Sequence, residues 1–277
     1  MSKMNKNPKT SDILPIVIKV GGSFFNELSQ AGASNGAKVL LQTIAELQKQ
    51  GKPVVLIHGG GEQVLKRLDA LGIVSEKKDG LRVSPDAHMP IVTSVLAGEL
   101  NKQLVATCAS FGINAVGISL ADGNIAQCIE HAADIGAVGV PTAQSADLLN
   151  AIMSVNMVPI VASIGKDNDG RLYNVNADHA AICIAELLQT KLYFFADVQG
   201  VLDANKQLIA VLNHTLSESL IADKVITDGM LVKVKAAQDA ANKINNSVII
   251  ASWSNAREIL LEHKPLGTQI LPASADK

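Results

Sequence analysis

Aromatic side chains are scarce in this 277-residue chain: five Phe, two Tyr and one Trp, 3% of the total. Stacking platforms for nucleic-acid bases need such rings on a basic surface. The formal net charge here is −2, which argues against nucleic acids and anionic membrane surfaces as partners. Cysteine is also rare. Cys108, Cys128 and Cys183 are odd in number, widely spaced and form no CxxC pair. They predict no disulfide framework and read as small buried apolar residues of a reducing compartment. The six histidines show no HExxH or other metal spacing, so no metal site built from protein ligands is expected. Long apolar runs are missing too. Ala151–Ile164 comes closest to a membrane span, but Ser154, Asn156 and Pro159 interrupt it well short of ~18 apolar residues. Ile13–Ile18, which follows Lys3, Lys6 and Lys9, is too short for the core of a signal peptide. The expectation is a soluble, cytoplasmic protein with no membrane partner.

Several phosphate and catalytic signatures are absent as well. There is no GxxxxGK[ST], no GxGxxG after a strand, no HRD or DFG and no GxSxG. P-loop NTPases, Rossmann dehydrogenases, protein kinases and α/β-hydrolases are therefore poor fits.

What is present is a chain able to form a large core, with 48% hydrophobic and 18% charged residues. Short β-branched runs predict strands at Ile16–Val20, Val54–His58, Ala115–Ser119, Val158–Ser163, Leu192–Ala196 and Val248–Ser252. Most are apolar on both faces, as parallel strands covered by helices are. Between them, Val39, Leu40, Ile44 and Leu47 share one helical face, as do Val64, Leu65, Leu68 and Leu71. Ala177–Leu188 and Leu231–Ile244 are alanine-rich helix candidates. This alternation predicts an α/β fold, an open αβα sandwich around a mainly parallel sheet. Two hairpins interrupt it, one turning at Asp79-Gly80 and one running from Asp167–Gly170 into Arg171–Asn176. Residues 1–14 read as a flexible N-terminal tail, because Asn5, Asn7 and Pro8 are poor helix formers. A lobe boundary is expected in 164–171, giving an N-terminal lobe over 15–165 and a C-terminal lobe over 166–277.

Two glycine clusters follow strands directly, Lys19-Val20-Gly21-Gly22-Ser23 and His58-Gly59-Gly60-Gly61. Glycine at the carboxyl end of a strand lets backbone N–H groups approach an anion, and the next helix adds its positive dipole. Tight turns alone would explain one such cluster. Two of them, one beside a lysine, point to an anion site. Arg82 lies just past the Asp79-Gly80 turn between apolar neighbours, where its planar fork could hold a carboxylate. Asn174-Val175-Asn176-Ala177-Asp178 joins a strand to a helix start, and capping needs only one of its three polar residues. Asp197–Leu202 follows an apolar strand as a turn or a nucleotide-edge loop. Lys233 stands near a helix start after the turn Thr227-Asp228-Gly229.

Taken together, IKVGGS, IHGGG, DGLRVS, NVNAD, ADVQGVLD and ITDGMLVKV resemble, in order, the motifs of the amino acid kinase family, and within it the acetylglutamate kinases. The resemblance covers 16–271. Where many relatives read Gly-Lys-Asp-Gly, this chain reads Ala121-Asp122-Gly123 after Leu120, without the lysine. The resemblance implies transfer of a phosphoryl group from ATP, with Mg²⁺ held mainly by its phosphates, to the side-chain carboxylate of N-acetyl-L-glutamate. This is a step of arginine biosynthesis. It implies Lys19, Lys233 and Asp178 as catalytic residues, with Asp178 orienting both ammonium groups. Gly60, Gly61, Arg82 and Asn174 would bind the acetylated amino acid. Gly21, Gly22, Asp197, Val198, Gln199, Gly200, Val201, Leu202, Val225, Ile226 and Thr227 would bind ATP. The N-terminal lobe would take the acetylated substrate and form a homodimer, and the C-terminal lobe would take ATP. Arginine-inhibited relatives resemble one another in a long N-terminal helix, so the short tail read here implies a dimer insensitive to arginine. A binding or sensor module lacking catalysis would have lost a lysine or the aspartate, and all three are present.

Overall fold

In a computed structural model, residues 13–29, 35–78 and 80–276 are described. Residues 1–12 of the expected tail, with Asn5, Asn7 and Pro8, lie outside the described residues, and so does the Asp79 corner of the first hairpin. In chain order the elements are β1 (Ile16–Val20), α1 (Gly22–Leu28), α2 (Gly36–Lys49), β2 (Val54–His58), α3 (Gly61–Ala70), β3 (Lys77–Lys78) and β4 (Leu81–Arg82). Then come α4 (Met89–Thr93), α5 (Asn101–Ser110), β5 (Ala115–Ser119), β6 (Ala126–Glu130), β7 (Val138–Ala143), α6 (Asp147–Ser154), β8 (Val158–Ala162), β9 (Ile164–Lys166) and β10 (Leu172–Val175). The remainder is α7 (Ala177–Leu187), β11 (Leu192–Ala196), β12 (Val211–Leu212), α8 (His214–Ala222), α9 (Asp228–Ile244), β13 (Val248–Ser252), α10 (Ala256–Leu260) and β14 (Thr268–Ile270).

The main sheet has eight strands in the order β12-β14-β13-β11-β1-β2-β8-β5, and it is parallel from β13 to β5. β14 runs antiparallel to β13, and β12 runs parallel to β14, so these two strands oppose the rest. The period of two in a strand sends neighbouring side chains to opposite faces, and the core divides accordingly. Ile18 and Val20 pack with Leu56, Ile160 and Phe195 against Leu40, Leu41 and Ile44 of α2 and Leu104 of α5. Val17, Val55, Ile57, Val161 and Phe194 face the other way, against Val64 and Leu68 of α3, the alanines of α7, and α9. This is the expected αβα sandwich. Cys108 is buried in the first layer, and Cys128 and Cys183 are buried in the second.

Five of the six expected strands are found with the expected limits. The sixth, Val158–Ser163, ends one residue early, because Ser163 is a bend between β8 and β9. Leu71 does not share the buried face of Val64 and Leu68. α3 ends at Ala70, and Leu71 caps it with 58% of its surface exposed. Both hairpins form: β3 pairs antiparallel with β4, and β9 with β10. The second hairpin, β9 with β10, is one half of a second sheet, β6-β7-β10-β9, whose other two strands the periodicity does not mark; this sheet packs on α7 through β7. The expected boundary at 165/166 falls inside β9.

A short backbone ladder ties this small sheet to the residues after β4. Ser84 N–H donates to the Ile135 carbonyl at 2.8 Å, Ala137 N–H donates to the Ser84 carbonyl at 2.7 Å, and Asn174 N–H donates to the Ala137 carbonyl at 2.8 Å. Gly136 sits between the first two at φ +74°, where an added Cβ would also run into the Ser84 carbonyl. Arg82 and Asn174, 92 positions apart in the chain, are thereby held in one framework.

Candidate active site

In open parallel sheets the loops leaving the carboxyl ends of the strands share one edge, and ligands bind where the strand order reverses. Here the chain moves from β1 to β2 on one side and later places β11 on the other, so the reversal lies at β1. The turns Gly21-Gly22 after β1, Gly59–Gly61 after β2 and Ser163 after β8 line one cavity of about 220 Å³. Lys19, Lys77, Arg82, Asn174, Asn176 and Asp178 supply its polar wall, and Val64, Leu81, Leu96 and Val138 its apolar wall. Among the described lining residues three cations face one carboxylate, a balance that favours an anion.

Lys19 points to the same face as Val17, toward α7. Its Nζ lies 2.7 Å from Asp178 Oδ1, and the two side chains are 17% and 18% exposed. The ammonium also sits 5.9 Å from the centre of the Phe194 ring. Asp178 is the second residue of α7, where a negative charge complements the helix dipole. Asn176 is the cap: its side-chain oxygen accepts from Asp178 N–H at 2.7 Å and His179 N–H at 3.4 Å. That frees Asn174 and Asp178 for other work. Asn174 Nδ2 donates to Ser84 Oγ at 3.0 Å, and Ser84 Oγ donates to the Arg82 carbonyl at 3.1 Å.

Arg82 is buried, which pushes its guanidinium pKa down, while the nearby Asp69 charge opposes the shift. Its Nη2 donates to the Gly61 carbonyl and its Nη1 to Ser75 Oγ. Two of its five N–H groups are thus spent on the protein, and the fork is pre-positioned against the second glycine turn. Gln63 links the two turns. Its Nε2 donates to the Gly22 carbonyl at 3.0 Å and to Asn26 Oδ1 at 3.1 Å.

His58, the last residue of β2, is fully buried. Its Nδ1 lies 2.9 Å from the Gly59 carbonyl, and its Nε2 lies 3.1 Å from Asn101 Nδ2. Carbonyl oxygens and amide N–H groups leave one consistent tautomer: Nδ1–H donates to Gly59, and Nε2 accepts from Asn101. Burial lowers the His58 pKa from 6.5 to about 4, against the Gly59 hydrogen bond.

Of the residues expected from the sequence, Lys19, Gly21, Gly22, Gly60, Gly61, Arg82, Asn174 and Asp178 meet in the cavity. The others are not among its lining residues. Asp197–Leu202 follows β11, the parallel neighbour of β1, and so starts at the same edge. Within it Asp197 and Gln199 are exposed, Val198 packs against the core, Gly200 is buried, and Leu202 is exposed. The buried Val201 donates its N–H to Thr268 Oγ1 at 2.7 Å. Val225 and the buried Ile226 donate their N–H groups to the Leu220 carbonyl. Exposed Thr227 is the N-cap residue of α9, and half-buried Lys233 lies in the N-terminal half of that helix. α9 leads back to the start of β13, so its N-terminus also faces the carboxyl edge. The sequence reading leaves Ser163, Lys77 and Gln63 outside the site, and it leaves open which residue of Asn174–Asp178 is the cap. Lys77 is indistinguishable by pattern from its solvated neighbour Lys78. Gln63 follows the glycines, where its spacing carried a usable signal.

Among the described residues no group of three or more His, Cys, Asp or Glu is placed to hold a metal ion. None of their helices is long and apolar enough to cross a membrane.

The chain matches the Amino acid kinase family over residues 15–252. It is 42% identical over 261 residues to an acetylglutamate kinase of Pasteurella multocida, covering 93% of this chain and 99% of that one. It is 40% identical to one of Aliivibrio fischeri over 93% and 98% of the two chains. Among solved structures, smu.665 from Streptococcus mutans UA159 superposes with a TM-score of 0.77 at 26% identity, covering 93% of this chain and 98% of the other.

The buried histidine predicts a pH dependence of stability. The unfolded chain protonates His58 near 6.5 and the folded chain only near 4, so between these values the unfolded state holds more protons and stability falls as pH falls. From pH 7 to pH 5 the wild type should lose about 2 kcal/mol more than a His58→Gln variant, measured by urea unfolding at each pH. Equal losses would place the histidine proton elsewhere.

Proposed function

The chain belongs to the amino acid kinase family, and on that premise we propose that it phosphorylates the side-chain carboxylate of N-acetyl-L-glutamate with ATP, in arginine biosynthesis. The observation that carries this reading is the Lys19–Asp178 pair at 2.7 Å, set in a cationic cavity between two glycine turns. An oxygen of the substrate carboxylate forms a bond to the γ-phosphorus as the bond to the β–γ bridging oxygen breaks, and ADP leaves. A side-chain carboxylate with a pKa near ~4.3 is already ionised at neutral pH, so no general base is required. The difficulty is repulsion between two anions, which fixed positive charge and amide dipoles offset.

In this reading Lys19 neutralises charge at the β–γ bridge and Lys233 acts on the leaving side. Asp178 holds the Lys19 ammonium in place and is the group that would also orient Lys233. Gly21, Gly22, Gly60 and Gly61 present backbone N–H groups to the transferring phosphoryl group and the substrate. The three free N–H groups of Arg82, with Asn174, take the α-carboxylate. Val64, Leu81, Leu96 and Val138 supply an apolar wall suited to the acetyl methyl group. The loop Asp197–Leu202 and Val225–Thr227 line the nucleotide site, with the N-terminal lobe serving the amino acid and the C-terminal lobe ATP. Mg²⁺ fits as part of the nucleotide substrate, bound by phosphate oxygens, because Asp178, the one carboxylate among the described lining residues, is engaged by Lys19. Use of ATP supports a cytoplasmic location.

We also propose a homodimer. Its support is the open edge of the main sheet, where β5 presents half-buried Val116 and Ile118. Light scattering should return about twice the 29.1 kDa chain mass, and a monomer at all concentrations would refute it.

A coupled ADP-release assay tests the activity. Acetylglutamate should drive turnover, and free glutamate should show kcat/KM at least about 10²-fold lower, because its ammonium enters a site shaped for a neutral amide. Comparable values would refute the assignment. Lys233→Ala should lower kcat about 10²–10³-fold, the loss seen when one transition-state donor is removed. Lys19→Arg should fail similarly, since a guanidinium is not a compact point charge. Near-wild-type turnover in either variant would remove that lysine from the mechanism.

A further inference from the structure

Neither His58 nor Asn101 lines the cavity, yet both are fully buried directly behind its second glycine turn. Asn101 Nδ2 reaches His58 Nε2 at 3.1 Å, the Ile160 carbonyl at 3.0 Å and the Ile118 carbonyl at 3.3 Å. It is thereby anchored to β8 and β5. His58 passes this anchorage on through Nδ1–H to the Gly59 carbonyl at 2.9 Å.

A trans peptide is planar, with its C=O and N–H on opposite sides. The Gly59 carbonyl and the Gly60 N–H belong to the same plane. Held inward at the carbonyl, that plane must direct the Gly60 N–H outward, toward the cavity that Gly60 lines. The next peptide is set differently. The Gly60 carbonyl accepts from Val64 N–H at 2.9 Å, so the helix itself directs the Gly61 N–H out of its N-terminus.

The helical stretch before Asn101 closes the arrangement. Ser94–Leu100 is π-helical, and Leu96 and Leu100 press on the turn so closely that a Cβ on Gly60 would collide with both.

We propose that His58 and Asn101 are positioning residues that aim the Gly60 N–H at the phosphoryl group or substrate carboxylate in the cavity. The inference rests on the proposed kinase reading for what that N–H contacts, and on geometry alone for where it points. The neutral imidazole enforced by burial suits this role, because a protonated Nε2 would face the Asn101 amide hydrogens.

Two amide replacements separate positioning from packing. His58→Asn carries a donor near the Nδ1 position and gives up the contact with Asn101. His58→Gln carries a polar atom toward Asn101 and lacks a donor near the Gly59 carbonyl. His58→Gln should lower kcat about 10²-fold, with KM for ATP and acetylglutamate within about threefold of wild type. His58→Asn should recover at least about tenfold of that loss. Equal kcat in the two variants, or losses that simply follow their Tm, would overturn the inference. A crystal structure of the full-length His58→Gln protein reads the geometry without activity. The Gly59–Gly60 peptide plane should turn from its wild-type orientation, and an unchanged plane would overturn the inference. Absence of acetylglutamate-dependent ADP release in the wild type would overturn the kinase reading instead, leaving the peptide plane to decide this one.

Discussion

A lysine and an aspartate 159 positions apart, Lys19 on the central strand β1 and Asp178 in the first turn of α7, meet at 2.7 Å. Much of the architecture serves that meeting. β1 must lie at the reversal of strand order, so that its carboxyl end opens into a crevice rather than under a crossover helix. α7 must start at the same edge, and Asn176 holds its first turn there. Both side chains are mostly withdrawn from water, so neither is content alone. Deleting one would leave the other poorly solvated and poorly paired. The pair is therefore a joint between layers as well as a source of charge.

Around that joint the protein places donors of increasing rigidity. Lys77 is exposed on a two-stranded hairpin. Lys19 is held by one partner. Arg82 is buried and tied to Ser75 and to the Gly61 carbonyl, and Asn174 is tied through Ser84 to the same framework. Backbone N–H groups at the glycine turns are the most rigid, because helix geometry and buried side chains set their direction. Donors that do not need to reorganise as charge moves are the ones that stabilise a transition state most effectively.

Much of this is legible in the amino-acid sequence. Strands such as Val54–His58 are apolar on both faces and bounded by glycine or proline, so their limits could be read closely. The glycine turns, Arg82 and the NVNAD segment stood out because each departs from what a simple turn or cap requires. What escaped has a common cause. β6 and β7 of the small sheet have mixed burial and no turn signal of the kind that marks β9 and β10, and their place is set by pairing. Ser163 is as buried as the strand residues before it, so only a backbone bend, which no sequence pattern marks, separates it from β8. Leu71 was read as core because period 3.6 continues past Ala70 while the helix does not. The role of Asn176 against Asn174 depends on which one precedes the first helical residue by a single position, a boundary that sequence patterns blur. Asp197–Leu202, Val225–Thr227 and Lys233 lie at the carboxyl edge of the sheet by topology, outside the lining of the cavity that gathers the rest.

The central register also has a temporal side. Val17 of β1 pairs with Leu192 of β11, and Val55 of β2 lies on its other flank. On a ribosome adding about 5–20 residues per second, β1 waits on the order of ten seconds or more for that second neighbour. Until then an apolar strand edge and its covering face stand open, and closing so long a loop is slow. The strand that carries Lys19 is thus the first described strand made, yet it stays half-paired until β11 emerges. Until β11 emerges, that open edge is a surface on which other chains could pair.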